Sequence, residues 1–271
     1  MLVDAHFHAD DLAGLFADFA SAYRGLGVTG LASAHDEAGF ARTKSLMAGA
    51  GPYRLSYGIH PQLPLMDTAQ AVATRAAAGE LDAIGECGFD FYGDNRYCSR
   101  EPANAKLQRE AFEFQLALAE RHDLPVVLHL RRASDLLFSY ARRLARLRGV
   151  ILHGWTGPAN EALDFLKRCP VARFSFGTAI LNGNRKSRAS AAALPLGALL
   201  TESDAPFQPP RAEPKPGAPL MRAYSDFSDI ARILGELSAL RDMEAARLAE
   251  EIGRNFNEKG LFPESAPARG L

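Results

Sequence analysis

Eight short apolar runs, each followed by a stretch with helical periodicity, alternate from one end of this chain to the other. They lie near 2–6, 28–33, 54–59, 81–86, 125–130, 149–153, 171–176 and 198–202. Several are continuously apolar, such as Leu124-Pro125-Val126-Val127-Leu128. Unbroken hydrophobicity is what a strand covered on both faces needs, and such strands belong to parallel sheets flanked by helices. The clearest helix spans 104–122, where Leu107, Phe112, Leu116 and Ala119 recur at helical spacing. A strand–helix unit repeated eight times predicts an α/β fold, a single (β/α)8 TIM-type barrel. A doubly wound open sheet is the rival built from the same units. A length of 271 residues suits one barrel, and 47% hydrophobic residues supply its core without staples. We expect the barrel over residues 1–262, ending in a helix near 242–257, with a short tail at 263–271. The segment 205–219 holds six prolines but directly follows the eighth strand, so it reads as a stiff loop over the barrel mouth.

Composition narrows the function classes. No run of 18 uncharged apolar residues is present, which argues against a membrane span. Met1–His6 lacks the basic and apolar regions of a signal peptide. Cys87, Cys98 and Cys169 are widely spaced and form no CxxC pair, so they fit reduced thiols in a cytoplasmic protein and exclude a zinc ribbon. The net charge is −1, unlike that of a protein built to coat nucleic acid. An enzyme acting on nucleic acid stays possible, because bound cations can supply positive charge locally.

Barrel enzymes carry their chemistry at the C-terminal ends of the strands. Of the histidines at 6, 8, 35, 60, 122, 129 and 153, His6 and His8 close the first run, and His129 and His153 close the fifth and sixth. His6 and His8 are two apart, so an extended backbone presents both to one face, where two imidazoles can bind one metal ion. A lone pair of this kind is a weak signal. Its weight comes from Glu86 at the end of the fourth run and Asp204 just past the eighth. Four imidazoles and two carboxylates at one rim offer ligands for two divalent ions, with a carboxylate between them. His35 also sits at a strand end, and we expect it to be a bystander.

These residues also carry a resemblance. Asp4-Ala5-His6-Phe7-His8, Gly58-Ile59-His60-Pro61, Gly85-Glu86-Cys87-Gly88-Phe89-Asp90, Leu128-His129-Leu130-Arg131, Leu152-His153-Gly154-Trp155-Thr156-Gly157 and Thr201-Glu202-Ser203-Asp204-Ala205-Pro206 resemble the successive motifs of the TatD family of metal-dependent deoxyribonucleases. The resemblance runs in order over residues 2–262. It implies that His6, His8, Glu86 and Asp204 hold one divalent ion, and that Glu86 bridges to a second held by His129 and His153. Imidazole-rich sites favour zinc, manganese, cobalt or iron by ligand softness, and the resemblance also allows magnesium. It also implies that Asp204 is the base for an attacking water, with Glu86 the second catalytic carboxylate, and that His60 and Arg131 contact substrate. Asp4 and Glu202, each two residues from a ligand, are read as supports, Asp4 by orienting an imidazole. The implied activity is hydrolysis of DNA phosphodiester bonds. The alternatives are hydrolysis of a C–N or ester bond in a small molecule or aminoacyl-tRNA, and a non-catalytic metal-binding barrel; no membrane or obligate protein partner is expected.

Two places depart from the family pattern: Arg132 stands where many members have an acidic residue, and Gln208-Pro209-Pro210-Arg211-Ala212-Glu213-Pro214 replaces the usual loop after the eighth strand. Gly25-Leu26-Gly27-Val28-Thr29-Gly30 matches G-x-G-x-x-G but leads from a helix into a strand, the reverse of a dinucleotide site, and reads as a helix end. Arg142, Arg143, Arg146 and Arg148 read as a solvated outer face. Phe91, Tyr92 and Trp155 follow ligand-bearing strands, where they serve either base stacking or loop packing.

Overall fold

The computed structural model describes residues 1–211, 223–257 and 260–262. The expected tail at 263–271 and positions 212–219 of the proline-rich loop lie outside the described residues. Eight strands form one sheet in sequential order, every neighbouring pair parallel. They are β1 (Leu2–Phe7), β2 (Val28–Ala34), β3 (Tyr53–Tyr57), β4 (Ala83–Asp90), β5 (Val126–Arg131), β6 (Val150–Leu152), β7 (Ala172–Phe176) and β8 (Leu199–Thr201). A doubly wound sheet reverses its order midway; this one never does, and so it curls into a barrel. Past the end of β8 the seam with β1 is joined by the Asp204 N–H donating to His6 O at 3.0 Å and the His8 N–H donating to Ala205 O at 2.7 Å. The closure thus falls on the residues singled out for chemistry.

Among the described residues ten α-helices lie between and after the strands: α1 (Ala9–Ala13), α2 (Phe19–Gly25), α3 (Glu37–Met47), α4 (Ala69–Ala77), α5 (Pro102–His122), α6 (Ser134–Leu144), α7 (Ala159–Arg168), α8 (Arg185–Ala193), α9 (Asp229–Arg241) and α10 (Ala245–Asn257). The G-x-G-x-x-G stretch is the end of α2 and the turn into β2, with Gly27 at φ +62. β2 and β4 are buried along their whole length, as continuous apolar runs require when side chains meet helices outside and neighbouring strands inside.

Two strands run differently from their sequence signal. β4 continues past Glu86 to Asp90, and β5 past His129 to Arg131, so Glu86 and His129 lie within strands and not at their ends. The pairing register shifts between Ile84 and Cys87 on β4, and between Asp4 and Phe7 on β1. Shifts of this kind re-aim side chains next to active sites, and here they flank Glu86 and His6. Gly88, at φ +133, lies against β5 so closely that a Cβ there would stand 2.2 Å from the His129 carbonyl. Glycine is needed at that position to bring His129 beside Glu86.

Candidate active site

The six residues His6, His8, Glu86, His129, His153 and Asp204 converge at the C-terminal mouth, all buried. Glu86 is the centre. Its Oε2 lies 3.2 Å from His6 Nε2 and 3.7 Å from His8 Nε2. Its Oε1 lies 2.6 Å from His129 Nδ1 and 2.8 Å from His153 Nε2. Asp204 Oδ1 completes the first side, 3.6 Å from both His6 Nε2 and His8 Nε2. His6 Nε2 and His8 Nε2 are 3.1 Å apart, and His129 Nδ1 and His153 Nε2 are 3.0 Å apart. Donor atoms bound at about 2.0–2.1 Å to one tetrahedral ion stand roughly 3.3 Å from each other. The nitrogens and oxygens here already have that spacing, and borderline imidazole with hard carboxylate is a donor set for divalent first-row ions. The residues fit a metal centre. Candidate ligand groups are His6–His8–Asp204, His6–Glu86–His153, His60–Glu86–His129 and His8–His35–Glu86.

Each imidazole turned inward has its other nitrogen turned outward. His6 Nδ1 lies 3.1 Å from Ser33 Oγ, which is 2.7 Å from Ser56 Oγ. His129 Nε2 lies 2.9 Å from Asp90 Oδ2, and His8 Nδ1 lies 3.2 Å from His35 Nε2. His153 Nδ1 faces Glu202 Oε1 at 3.7 Å, while that oxygen accepts the Gly154 N–H at 2.6 Å. Metal-binding imidazoles are held by such outer partners, which fix the tautomer.

The charges are strongly coupled. Burial alone would lower the pKa of His153, but the Glu86 charge and the Glu202 carboxylate raise it well above the usual imidazole range. His8 is raised too, Asp204 and Glu86 outweighing its burial. Burial would raise Glu86, but the charges of His153, His60 and His6 hold it well below the carboxylate range. Asp204 is likewise lowered, its burial outweighed by the His8 hydrogen bond and the imidazole charges. His6 is lowered by burial and by His153, and His35 far more strongly by burial and His8.

Several residues stand elsewhere than the sequence led us to expect. Asp4 orients no imidazole through its carboxylate. That group accepts the Ser203 N–H at 2.8 Å and the Ser203 hydroxyl at 2.7 Å, so it anchors the residue before Asp204. The anchor matters because Asp204 sits at φ +53, outside the usual region for a residue with a Cβ. His60 is drawn into the cluster, Nε2 being 3.2 Å from Glu86 Oε1, and also borders the mouth. Arg131 lies at the rim, its guanidinium 3.4 Å from Thr156 Oγ1. His35 is no bystander: it contacts His8 and lies 3.9 Å from Glu86 Oε2. Asp90, Gln62 and Gln208 were not singled out from the sequence. Gln62 Nε2 donates to Asp90 Oδ2 at 2.8 Å, and Gln208 Nε2 donates to Asp204 Oδ2 at 2.7 Å. Asp90 had a usable signal, being four residues beyond Glu86 and so on the same strand face. Phe91 and Trp155 are packed, while Tyr92 is exposed at the rim. Within the basic run Arg143 pairs with Glu113 and Glu120, Arg146 with Glu120 and Arg148 with Asp123. Above the cluster opens a cavity of about 1390 Å³, bordered by His35, His60, Arg131, Phe207, Gln208 and Arg211 among others. No described helix is long and apolar enough to cross a membrane.

Comparison with known proteins agrees with this geometry. Residues 3–259 match the family model described as TatD related DNase. The metal-dependent hydrolase YjjV of Escherichia coli K12, itself uncharacterised, is 31% identical over 224 residues, covering 80% of each chain. A protein of Enterobacter lignolyticus named 3'-5' ssDNA/RNA exonuclease TatD is 32% identical over 206 residues, covering 73% of this chain and 74% of that one. The crystal structure of E. coli YjjV superposes with a TM-score of 0.80 at 26% identity, covering 96% of this chain and 97% of that one. A TatD family hydrolase from Entamoeba histolytica, at 14% identity and a TM-score of 0.76, shares the fold. The family match spans the whole barrel and every residue of the cluster, and the chain belongs to the TatD-related DNase family of metal-dependent hydrolases.

Proposed function

We propose that the chain hydrolyses phosphodiester bonds of single-stranded nucleic acid, DNA in the first instance, with two divalent ions at the barrel mouth. One observation carries this reading: the two oxygens of Glu86 face two different sets of imidazoles, Oε2 toward His6 and His8 and Oε1 toward His129 and His153. A carboxylate so placed would serve both ions of a two-ion centre. Bound ions would supply Lewis acidity to a phosphoryl oxygen and lower the pKa of water.

The protein groups do the rest. His6, His8 and Asp204 would hold one ion and His129 and His153 the other, with Glu86 serving both. Asp204 is the base: Gln208 donates to its Oδ2, and the residue lines the cavity, where it can take a proton from water. His60, partly exposed and beside Glu86, and Arg131, at the rim, are placed to hold phosphate oxygens. Zinc, manganese and magnesium all suit the reading. The curated exonucleases support the choice of substrate, and three buried free thiols support a cytoplasmic setting.

The test is degradation of a labelled single-stranded oligonucleotide across a series of divalent metals, run beside a panel of small amides and lactones. Metal-dependent shortening of the oligonucleotide, abolished by chelation, is expected. Turnover of an amide or lactone with no action on the oligonucleotide would overturn the reading.

A further inference from the structure

A second cavity of about 330 Å³ opens beside the first, between the loops after β5 and β6. Tyr92, Arg131, His153 and Thr156 border both, so a ligand in the smaller cavity touches the wall of the metal cluster. The volume is at the low end for small-molecule sites, the size of one nucleotide and no more. Three cations border it: Arg131, Arg132 and Lys186. Among the described residues none of the three has a carboxylate partner, whereas nearby Arg100 pairs with Asp135 and Arg143 with Glu113 and Glu120. The one carboxylate in the wall, Glu161, accepts the Ser134 hydroxyl at 2.8 Å.

Two further features point to a ligand. Arg132 is held at φ +52, a conformation that residues with a Cβ seldom adopt, and its carbonyl accepts a hydrogen bond from Arg100. Backbone held in this way next to a catalytic mouth is a mark of function more than of packing. Its guanidinium lies 4.6 Å from the ring centre of Tyr92, which is 57% exposed. Trp155 also borders the cavity, at 5% exposure.

We propose that this smaller cavity is a mononucleotide subsite that seats the nucleotide next to the bond being cut, its phosphate between Arg131, Arg132 and Lys186 and its base at Tyr92. This rests on the phosphodiesterase reading above and narrows it to the residues that seat one nucleotide beside the metal cluster.

The chain contains one tryptophan, Trp155, so emission from the wall of the cavity reports occupancy directly. The experiment titrates metal-loaded full-length protein with dAMP, inorganic phosphate or deoxyadenosine while following Trp155 fluorescence. A saturable change with dAMP is expected, tighter by about tenfold or more than with phosphate or deoxyadenosine alone. Arg132→Glu and Lys186→Glu, both exposed positions, should each weaken dAMP by about tenfold, and Arg132→Gln by less. Circular dichroism of the variants checks folding. If dAMP affinity changes less than twofold in both charge reversals, the subsite is overturned, even where the oligonucleotide is cut. If the protein cuts no oligonucleotide but binds dAMP through Arg132 and Lys186, the subsite stands and the hydrolytic reading fails.

Discussion

His35 Nε2 lies 3.2 Å from His8 Nδ1, on the side of the His8 ring opposite the nitrogen that faces Glu86 and Asp204. An imidazole that ligates through Nε2 carries its proton on Nδ1, and that proton needs an acceptor. His35 supplies it from the end of β2, although its own Nδ1 is buried without a partner. His35→Ala should therefore weaken divalent-metal binding by about 10–100-fold. His35→Gln, whose carbonyl oxygen can accept the same proton, should recover most of the loss. Calorimetric titration with metal checks both; wild-type affinity in the alanine variant would remove His35 from the centre.

The protonation pattern sets how metal affinity depends on pH. Without metal, His8 and His153 are held protonated above the usual imidazole range, while Glu86 and Asp204 stay ionised below the carboxylate range. The imidazoles' contribution to stability is complete below their unfolded pKa of about 6.5 and fades as pH rises through the raised folded values. The carboxylates' contribution is complete above about 4 and is lost as pH falls further. Metal must displace the imidazole protons, so its affinity climbs with pH as the metal-free site loses stability. Chelation should lower Tm more at about pH 8.5 than at about pH 6. Titration in buffers of different ionisation enthalpy should show protons released on binding near neutrality; a pH-independent affinity would contradict the charge pattern.

How much of this centre was legible in the sequence follows from where each residue's role is defined. His6, His8, Glu86, His129, His153 and Asp204 were found because a parallel barrel turns position along the chain into position in space, and each falls at or near the end of a strand signal. Asp90 and the carboxylate contacts of Asp4 were missed because their partners, His129 and Ser203, lie 39 and 199 residues away. The apolar signal of β4 ends at Glu86, whereas pairing with β5 keeps Cys87-Gly88-Phe89-Asp90 extended. His35 was passed over because one histidine at a strand end has no local feature that marks it as a partner. The strand order was predictable from repetition alone, and the closure of the barrel through Asp204 and Ala205 was not.

Asp4 offers a separate measurement. Burial pushes its carboxyl up to about 8, against the opposing hydrogen bonds from Ser203. The unfolded value is near 4, so the folded chain favours the protonated form. That contribution is complete below about pH 4 and is lost as pH rises through about 8, at no more than roughly 1.4 kcal/mol per pH unit. Asn at this position keeps an acceptor for the Ser203 N–H and presents its amide to the Ser203 hydroxyl. Asp4→Asn should thus fold normally and lose less Tm than wild type between about pH 6 and 9 in metal-free protein. Parallel Tm curves for the two proteins would show that Asp4 does not titrate in this range.

The proposed mechanism gives Asp204 two tasks, to hold an ion and to accept the proton of the attacking water, and two substitutions separate them. His6→Ala removes a ligand that lies 3.2 Å from Glu86 and 3.6 Å from Asp204 but leaves the base in place. Its activity on a short single-stranded DNA should fall through metal affinity, and excess metal should restore part of it. Asp204→Asn keeps the side-chain shape and can keep the contact with Gln208, but removes charge and basicity together. Its rate should fall about 10²–10⁴-fold, the usual worth of a positioned general base, and should stay low at saturating metal. The measurement is rate against metal concentration for the two variants. If excess metal returns Asp204→Asn to near the wild-type rate, Asp204 is a ligand only. His60, whose Nε2 stands 3.2 Å from Glu86 Oε1 at the edge of the cavity, is then the next group to test as the base.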